Sequence, residues 1–484
     1  MTEHELNGLF QPKGIAVIGA SNNPLKAGCI IINNMIKGKF PGKLYPVNQS
    51  EENVAGLKTY ARLSDIDDVV ELVVLITPAS AIYSIMDDLD ERMASKNDVR
   101  FIVCAAADYA ETKTEEGIKR QERLMQAKDK YGIRIVGPNC IGVIDTMSRV
   151  NTTFVDTGVS EDRFGPPGGI SFISQSGSVA ASILAWGASK VIGIRYNKFI
   201  SVGNMADIDF IDLLEFLEQD PSTKVIGIYM EGYQNGKQLI KVMGRIARKK
   251  PIIILKVGRS SKGSVAANSH TSSMSGSDKV YDAAFRQYGI LRVEDLWELL
   301  DTLQAFDKMR LPDGNRLFVL TQAGGPGIYC SDEISKYDFI ETPMVSENTK
   351  NQLKETMPRM AAICVPEGYA DITASATIRQ HCDSLRYVLM DPSVDGVCFI
   401  TVVTPFLPSA QLGKELSDTY WSLDEKYRKP VYFCIMAGEA VIPCRRELEQ
   451  TGLVTFDSPT EAVKAAKNMI IYNMKREKET QTGQ

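Results

Sequence analysis

The sequence predicts an α/β chain made of three parallel-sheet domains, and three observations lead there. Short apolar runs of strand length alternate with helix-like stretches along the whole chain, the pattern of βαβ units. Its 484 residues suit about three domains at roughly 150 residues each. A polar, Gly/Pro-containing stretch from about Asp145 to Gly168, and a fresh start at NRLFVLTQAGG, divide the chain into segments.

Residues 1–145 open with GIAVIG (14–19), the turn Ala20-Ser21-Asn22-Asn23-Pro24, the helix-like AGCIIINNMIKG and a second strand, KLYPVN. The apolar runs ELVVLITP (71–78), RFIVCAAA (100–107) and IRIVGPN (133–139) complete a Rossmann-like domain. Residues 146–308 contain the strand GGISFISQSG, the helix AASILAWGA and the strands KVIGIYMEG and PIIILKVG. Residues 309–474 form a third domain, and 475–484 (REKETQTGQ at its end) read as a polar, frayed tail.

Composition removes several classes of function. The formal net charge is −5 with no run of basic residues, which argues against a nucleic-acid partner. No apolar stretch has the ~18–20 residues that span a bilayer, and MTEHELNGLF lacks the layout of a signal peptide. The nine cysteines include no CxxC pair, so no zinc or other metal site is expected. They read as reduced core residues of a cytoplasmic protein.

The second and third segments look like two copies of one flavodoxin-like unit. ISFISQSGS pairs with LFVLTQAGG, DPSTKVIGIYMEG with DPSVDGVCFITVV, and KKPIIILKVG with RKPVYFCIMAG. The copies then diverge. Gly258 to Gly289 spans 31 residues, whereas Gly438 to Gly452 spans 14. The insertion holds RSSKGSVAANSHTSSMSG, and Glu231 falls opposite Val402. Only the first copy therefore has a histidine loop and a strand-end carboxylate.

Five features can carry chemistry. Gly19, Ala20 and Ser21 form a strand-to-helix turn whose N–H groups can face a phosphate, although a plain βα turn would read alike. The GxGxxG fingerprint is absent, and the second strand ends at Val47-Asn48 rather than in an acidic residue, which disfavours an NAD-dependent oxidoreductase. Ser176, Gly177 and Ser178 offer hydroxyls and amides at a helix start, suited either to an anion or simply to capping. His270, one of three histidines, lies in a loop of small residues where a neutral imidazole can accept a phosphoryl group. Glu231 follows VIGIYM directly, at the sheet edge where α/β folds bind ligands, and could fix the tautomer of an imidazole. GPNCIGVID (137–145) turns Asn139 and Cys140 toward the same kind of edge, and with no local base Cys140 is a poor nucleophile.

In order, GIAVIGAS, LITPAS, GPNCIGVI, SQSGSVA, YMEG, KVGRS and SHTSSMSGSD resemble the motifs of nucleoside-diphosphate-forming acyl-CoA synthetases, over about residues 8–470. The resemblance implies that Gly19, Ala20, Ser21, Asn48, Thr77, Pro78, Ala79, Asn139 and Cys140 lie near coenzyme A. It implies that His270 is transiently phosphorylated, that Glu231 steadies it, and that Ser176, Gly177 and Ser178 receive the phosphate. Acyl-CoA, phosphate and ADP would interconvert with a small carboxylic acid, CoA and ATP. The ATP/ADP site and its Mg²⁺ would belong to an ATP-grasp beta subunit, paired as α2β2. The residues leave the acid open, and a catalytically silent CoA-binding regulator of the same fold stands as the alternative. Two positions depart from the family pattern. Ser272 stands where a glycine is usual, and YADIT (369–373) lacks the usual proline.

Overall fold

The computed structural model describes residues 4–155, 167–189, 193–270, 278–356 and 367–482. Packing divides these into two compact units, one through Arg292 and the other from Val293 onward.

The first unit contains two sheets. Strands β1 (Gly14–Ile18), β2 (Lys43–Val47), β3 (Leu72–Leu75), β4 (Phe101–Cys104) and β5 (Arg134–Val136) form a parallel sheet in the order β2-β1-β3-β4-β5. Alternate residues supply its two faces, as the period of a strand requires. Ile15 and Val17 enter one core, while Ala16 and Ile18 enter the other.

The second sheet has seven strands. These are β6 (Val143–Asp145), β7 (Val150–Asn151), β8 (Ile170–Ser174), β9 (Tyr196–Ser201), β10 (Val225–Met230), β11 (Ile252–Lys256) and β12 (Leu291–Arg292), in the order β12-β11-β10-β8-β9-β6-β7. Strand β6 ends the motif GPNCIGVID and β7 lies in the stretch read as a linker, and both of their pairings are antiparallel. Strand β9, YNKFIS, has no continuous apolar run to announce it. Its polar residues are nevertheless buried, because Asn197 Nδ2 and Lys198 Nζ both donate to Asp220. One continuous core runs from Ile15 and Val103 to Ile200, Ile226 and Met243, joining the two sheets. Arg134 Nε, on β5, also donates to the buried Asp207 beyond β9 at 2.9 Å.

The second unit holds a single sheet. Strands β13 (Leu317–Thr321), β14 (Tyr369–Asp371), β15 (Gly396–Val402), β16 (Val431–Met436) and β17 (Thr455–Phe456) run parallel in the order β14-β13-β15-β16-β17. Strands β8 to β12 repeat this order. Helix Leu296–Lys308 packs in this second unit against helix Pro459–Thr482, where Lys467 Nζ and Asn468 Nδ2 both donate to Glu298. The polar tail is not frayed at its start. Helix Pro459–Thr482 runs on into it as far as Thr482, consistent with the strong helix propensity of Lys, Arg, Glu and Gln.

Candidate functional site

A cleft of about 960 Å³ opens within the first unit, lined from both of its sheets. Ala105 comes from the end of β4, Glu111 from the short helical turn Ala110–Thr112 that follows it, and Asn139 and Cys140 from the end of β5. The second sheet supplies Ser176 to Ser178 after β8, Gly203 to Met205 after β9, and Glu231 and Tyr233 after β10. All of these lie on connections that leave C-terminal strand ends, where side chains and helix starts converge in parallel sheets.

The two walls meet through backbone contact. Gly137–Pro138 is a cis peptide, and Asn139 follows at φ +58°. A Cβ on Gly203 would lie 2.2 Å from the Pro138 carbonyl oxygen, so this crossing requires glycine. Asn204 N donates to that oxygen at 2.9 Å. Asn204 Nδ2 donates to Glu111 Oε2 at 2.6 Å, and Asn139 Nδ2 to Asn204 Oδ1 at 3.4 Å. Glu111, Asn204, Tyr233 and Asp209 escaped the sequence reading, because only folding brings the ends of β4, β9 and β10 together. Tyr233 Oη donates to Asp209, which also caps helix Phe210–Gln219.

Cys140 lines this cleft but is 2% exposed, its Sγ 3.3 Å from the Cys104 carbonyl oxygen. Burial pushes its thiol up to about 12, so it carries no thiolate near neutral pH.

The phosphate-type turn takes shape around Ser176. Ser174 Oγ donates to the Ser176 carbonyl at 2.8 Å, and the Ser176 and Ser178 hydroxyls are 3.2 Å apart. Val179 N donates to Ser176 Oγ at 3.4 Å, capping helix Gly177–Ser189. Gln175, whose role the sequence reading missed, braces the neighbouring strand. Its Oε1 accepts from Glu231 N at 2.8 Å and Gly232 N at 3.1 Å. Glu231 itself is buried. The signal for Gln175 was its recurrence as Gln322 in the second copy, where Oε1 accepts from Val402 N at 3.1 Å.

His270 ends helix Ser261–His270, so residues read as loop start as helix, with Ser260 Oγ accepting from Gly263 N at 3.0 Å. The imidazole of His270 and residues 271–277, with the departure at Ser272, lie outside the described residues.

The remaining predicted positions gather elsewhere, at the C-terminal ends of β2, β1 and β3. Sheet order reverses between β1 and β3, which makes this a topological switch point. Gly19 has φ +98°, and a Cβ there would lie 3.1 Å from the Ile76 carbonyl oxygen. Asn48 Nδ2 donates to the Ala20 carbonyl at 2.7 Å. Ser21 Oγ donates to Glu51 Oε1 at 2.8 Å, and Asn22 N to Glu51 Oε2 at 2.9 Å. These bonds hold the Glu51 carboxylate below its ordinary range. A carboxylate thus already sits on the turn's donors, as an anion at a βα turn should. Thr77, Pro78 and Ala79 lead from β3 into the helical segment beginning at Ala79. No cluster suited to a metal ion occurs among the described residues, and none of their helices is long and apolar enough to cross a membrane.

Residues 13–146 match the CoA binding domain family, and residues 167–306 the succinyl-CoA ligase like flavodoxin domain family. The chain is 37% identical to the alpha subunit of ADP-forming acetate–CoA ligase II of Pyrococcus furiosus, over 95% of this chain and 96% of that one. It is 34% identical to ADP-forming acetate–CoA ligase I of Archaeoglobus fulgidus, over 94% of this chain but 62% of that longer protein. Among solved structures, dinucleotide-forming acetyl-coenzyme A synthetase 1 of Ca. Korarchaeum cryptofilum, in complex with phosphate and ADP, superposes with a TM-score of 0.86. The two are 31% identical, over 99% of each chain.

Proposed function

Since the chain belongs to the family of ADP-forming acyl-CoA ligase alpha subunits, we propose that it runs this ligation through a phosphohistidine at His270. It is an acid–CoA ligase subunit that uses CoA and a nucleotide and works with a partner subunit.

The observation that carries the mechanism is the shared cleft. Asn139 and the end of the CoA-binding sheet face the Ser176 turn and Glu231 across one 960 Å³ space. Phosphate held by the Ser176 and Ser178 hydroxyls and the helix start attacks the thioester carbonyl. The C–S bond breaks, CoA leaves as thiol and an acyl phosphate forms. The neutral imidazole of His270 then takes the phosphoryl group, releasing the acid as carboxylate. Glu231 orients the ring by accepting from its other N–H. Phosphohistidine finally gives its phosphoryl group to ADP. No lysine or arginine lines the described cleft, so hydroxyls and the positive end of helix Gly177–Ser189 carry the anion.

The turn at Gly19, Ala20 and Ser21, with Asn48 and the segment Thr77 to Ala79, fits the phosphate-bearing arm of CoA. The Ser21 hydroxyl and the Asn22 N–H beside it already hold the Glu51 carboxylate, which a CoA phosphate would displace. ADP and its Mg²⁺ would sit on an ATP-grasp beta subunit in an α2β2 assembly; the greater length of the Archaeoglobus relative supports a second module. The eight described cysteines are free and buried, which suits the reducing cytoplasm.

The test incubates the chain and its partner with radiolabelled phosphate and a panel of acyl-CoAs, and follows acid-labile, base-stable label. Label that depends on one acyl-CoA and disappears in His270→Ala is the expected result, with CoA affinity within a few-fold of wild type. Label persisting in His270→Ala overturns the assignment. Absence of label on the assembled wild-type enzyme favours a silent CoA-binding protein.

A further inference from the structure

Lys256 is a buried lysine with no established role. It ends β11, is 2% exposed, and donates from Nζ to the Glu231 carbonyl at 2.8 Å and the Val257 carbonyl at 2.6 Å. The ammonium also sits 4.9 Å from the centre of the Tyr281 ring. A buried ammonium is costly unless something requires it. The backbone bridge between these strand ends does not need it, since Val257 N already donates to the Met230 carbonyl at 3.0 Å.

The second copy acts as an internal control. Strand register aligns Tyr229 with Ile400, and hence Lys256 with Ile435. Ile435 is fully buried, so the same strand end closes with an aliphatic side chain. The glutamine brace is common to both copies. Lysine occurs only where Glu231 follows the neighbouring strand β10 and β11 leads on to the His270 helix.

We propose that Lys256 is a positioning residue for phosphoryl transfer, its ammonium clamping the backbone of Glu231 to the strand that leads to the His270 helix. The proposal rests on the phosphohistidine reading. The charged groups facing Lys256 are Arg292 on β12, Asp278 on helix Asp278–Tyr288, and Glu231. Burial first, then Arg292, brings its ammonium down to about 8. Raising the pH through that value converts a charged donor into a weaker neutral one.

The assembled enzyme is labelled as above with wild type, Lys256→Met, Lys256→Arg and His270→Ala in parallel. Lys256→Met is expected to slow labelling on the order of 10- to 100-fold, the scale of a small misplacement of a reacting group. Its KM for acyl-CoA should stay within about two-fold, because uniform binding is untouched. Wild-type labelling should decline above pH about 8, and Lys256→Arg should label without that decline. Wild-type labelling by a folded Lys256→Met overturns the clamp. Should that variant not fold, an unchanged wild-type rate above pH 8 overturns it instead. Label on His270→Ala defeats the phosphohistidine reading; its loss there, with full-rate labelling in Lys256→Met, defeats the clamp alone.

Discussion

Strands β8–β12 and β13–β17 are the same five-stranded scaffold used twice, and the two uses differ at the strand ends. Both sheets run in one order, and both place a glutamine after their first strand to accept backbone N–H groups from their third. In the first copy Glu231 follows the third strand, the fourth ends in Lys256, and a longer segment carries His270. In the second the corresponding residues are Val402 and Ile435, and the connection is short. The cleft lies at the first of these scaffolds. What both copies keep is therefore architecture, and what only one has is the candidate chemistry.

The strongest way to break this comparison is Glu231→Gln. If the carboxylate orients His270, phosphoryl transfer should slow by about 10²- to 10⁴-fold, the range for a lost acid–base or orienting partner. Single-turnover labelling of the assembled enzyme measures this, and a rate equal to wild type removes Glu231 from the site.

A smaller effect tests the shared part. Gln175→Ala and Gln322→Ala should each destabilise by about 1–3 kcal/mol, since buried N–H groups lose their acceptor. Denaturant unfolding of the two variants should give similar losses, but only Gln175→Ala should also slow labelling. Equal catalytic defects would mean that the glutamine brace does not distinguish the copies.

The smallest effect concerns pH. His381, in the second unit, is buried, with Nδ1 2.8 Å from the Thr377 carbonyl oxygen. Burial lowers its pKa below the ordinary 6.5. The folded unit thus binds the proton less readily than the unfolded chain. The stability owed to neutral His381 is complete above about pH 6.5 and is lost as pH falls toward the lower folded value. Thermal melts between pH 7.5 and 5 should show this acid loss, and His381→Gln should flatten it. An unchanged pH dependence in that variant rules the histidine out as its source.

Much of the fold was legible because buried parallel strands read as apolar runs. GIAVI, LVVL and IIIL announce themselves, and the repeat was visible from matched motifs. Strand β9 was not, since Asn197 Nδ2 and Lys198 Nζ donate to Asp220, and Asn197 Nδ2 also to Thr223, partners distant in sequence. Strand β7 was hidden in the polar stretch read as a linker, and its neighbour β6 ends in Asp145, buried beside Lys198. Within the site, Glu231 and Ser176 could be picked out because each follows a strand directly. Lys256 could not, because a lysine at the end of an apolar strand ordinarily reaches water.

The sequence by itself determined which residues could do chemistry here: a histidine in an inserted segment, a carboxylate at a strand end and a serine-rich helix start. These were visible because strand ends and helix starts are local features, set by short-range patterning. Tertiary structure alone decided which of them share a space. It put Asn139 and Cys140 in the cleft with Ser176 and Glu231, and left Gly19, Asn48 and Thr77 outside its lining, further along the same C-terminal edge of the first sheet. It also turned Cys140 into an inert thiol and Lys256 into a buried clamp. Both outcomes depend on burial and on carbonyl partners that long-range packing supplies, and no local pattern encodes them.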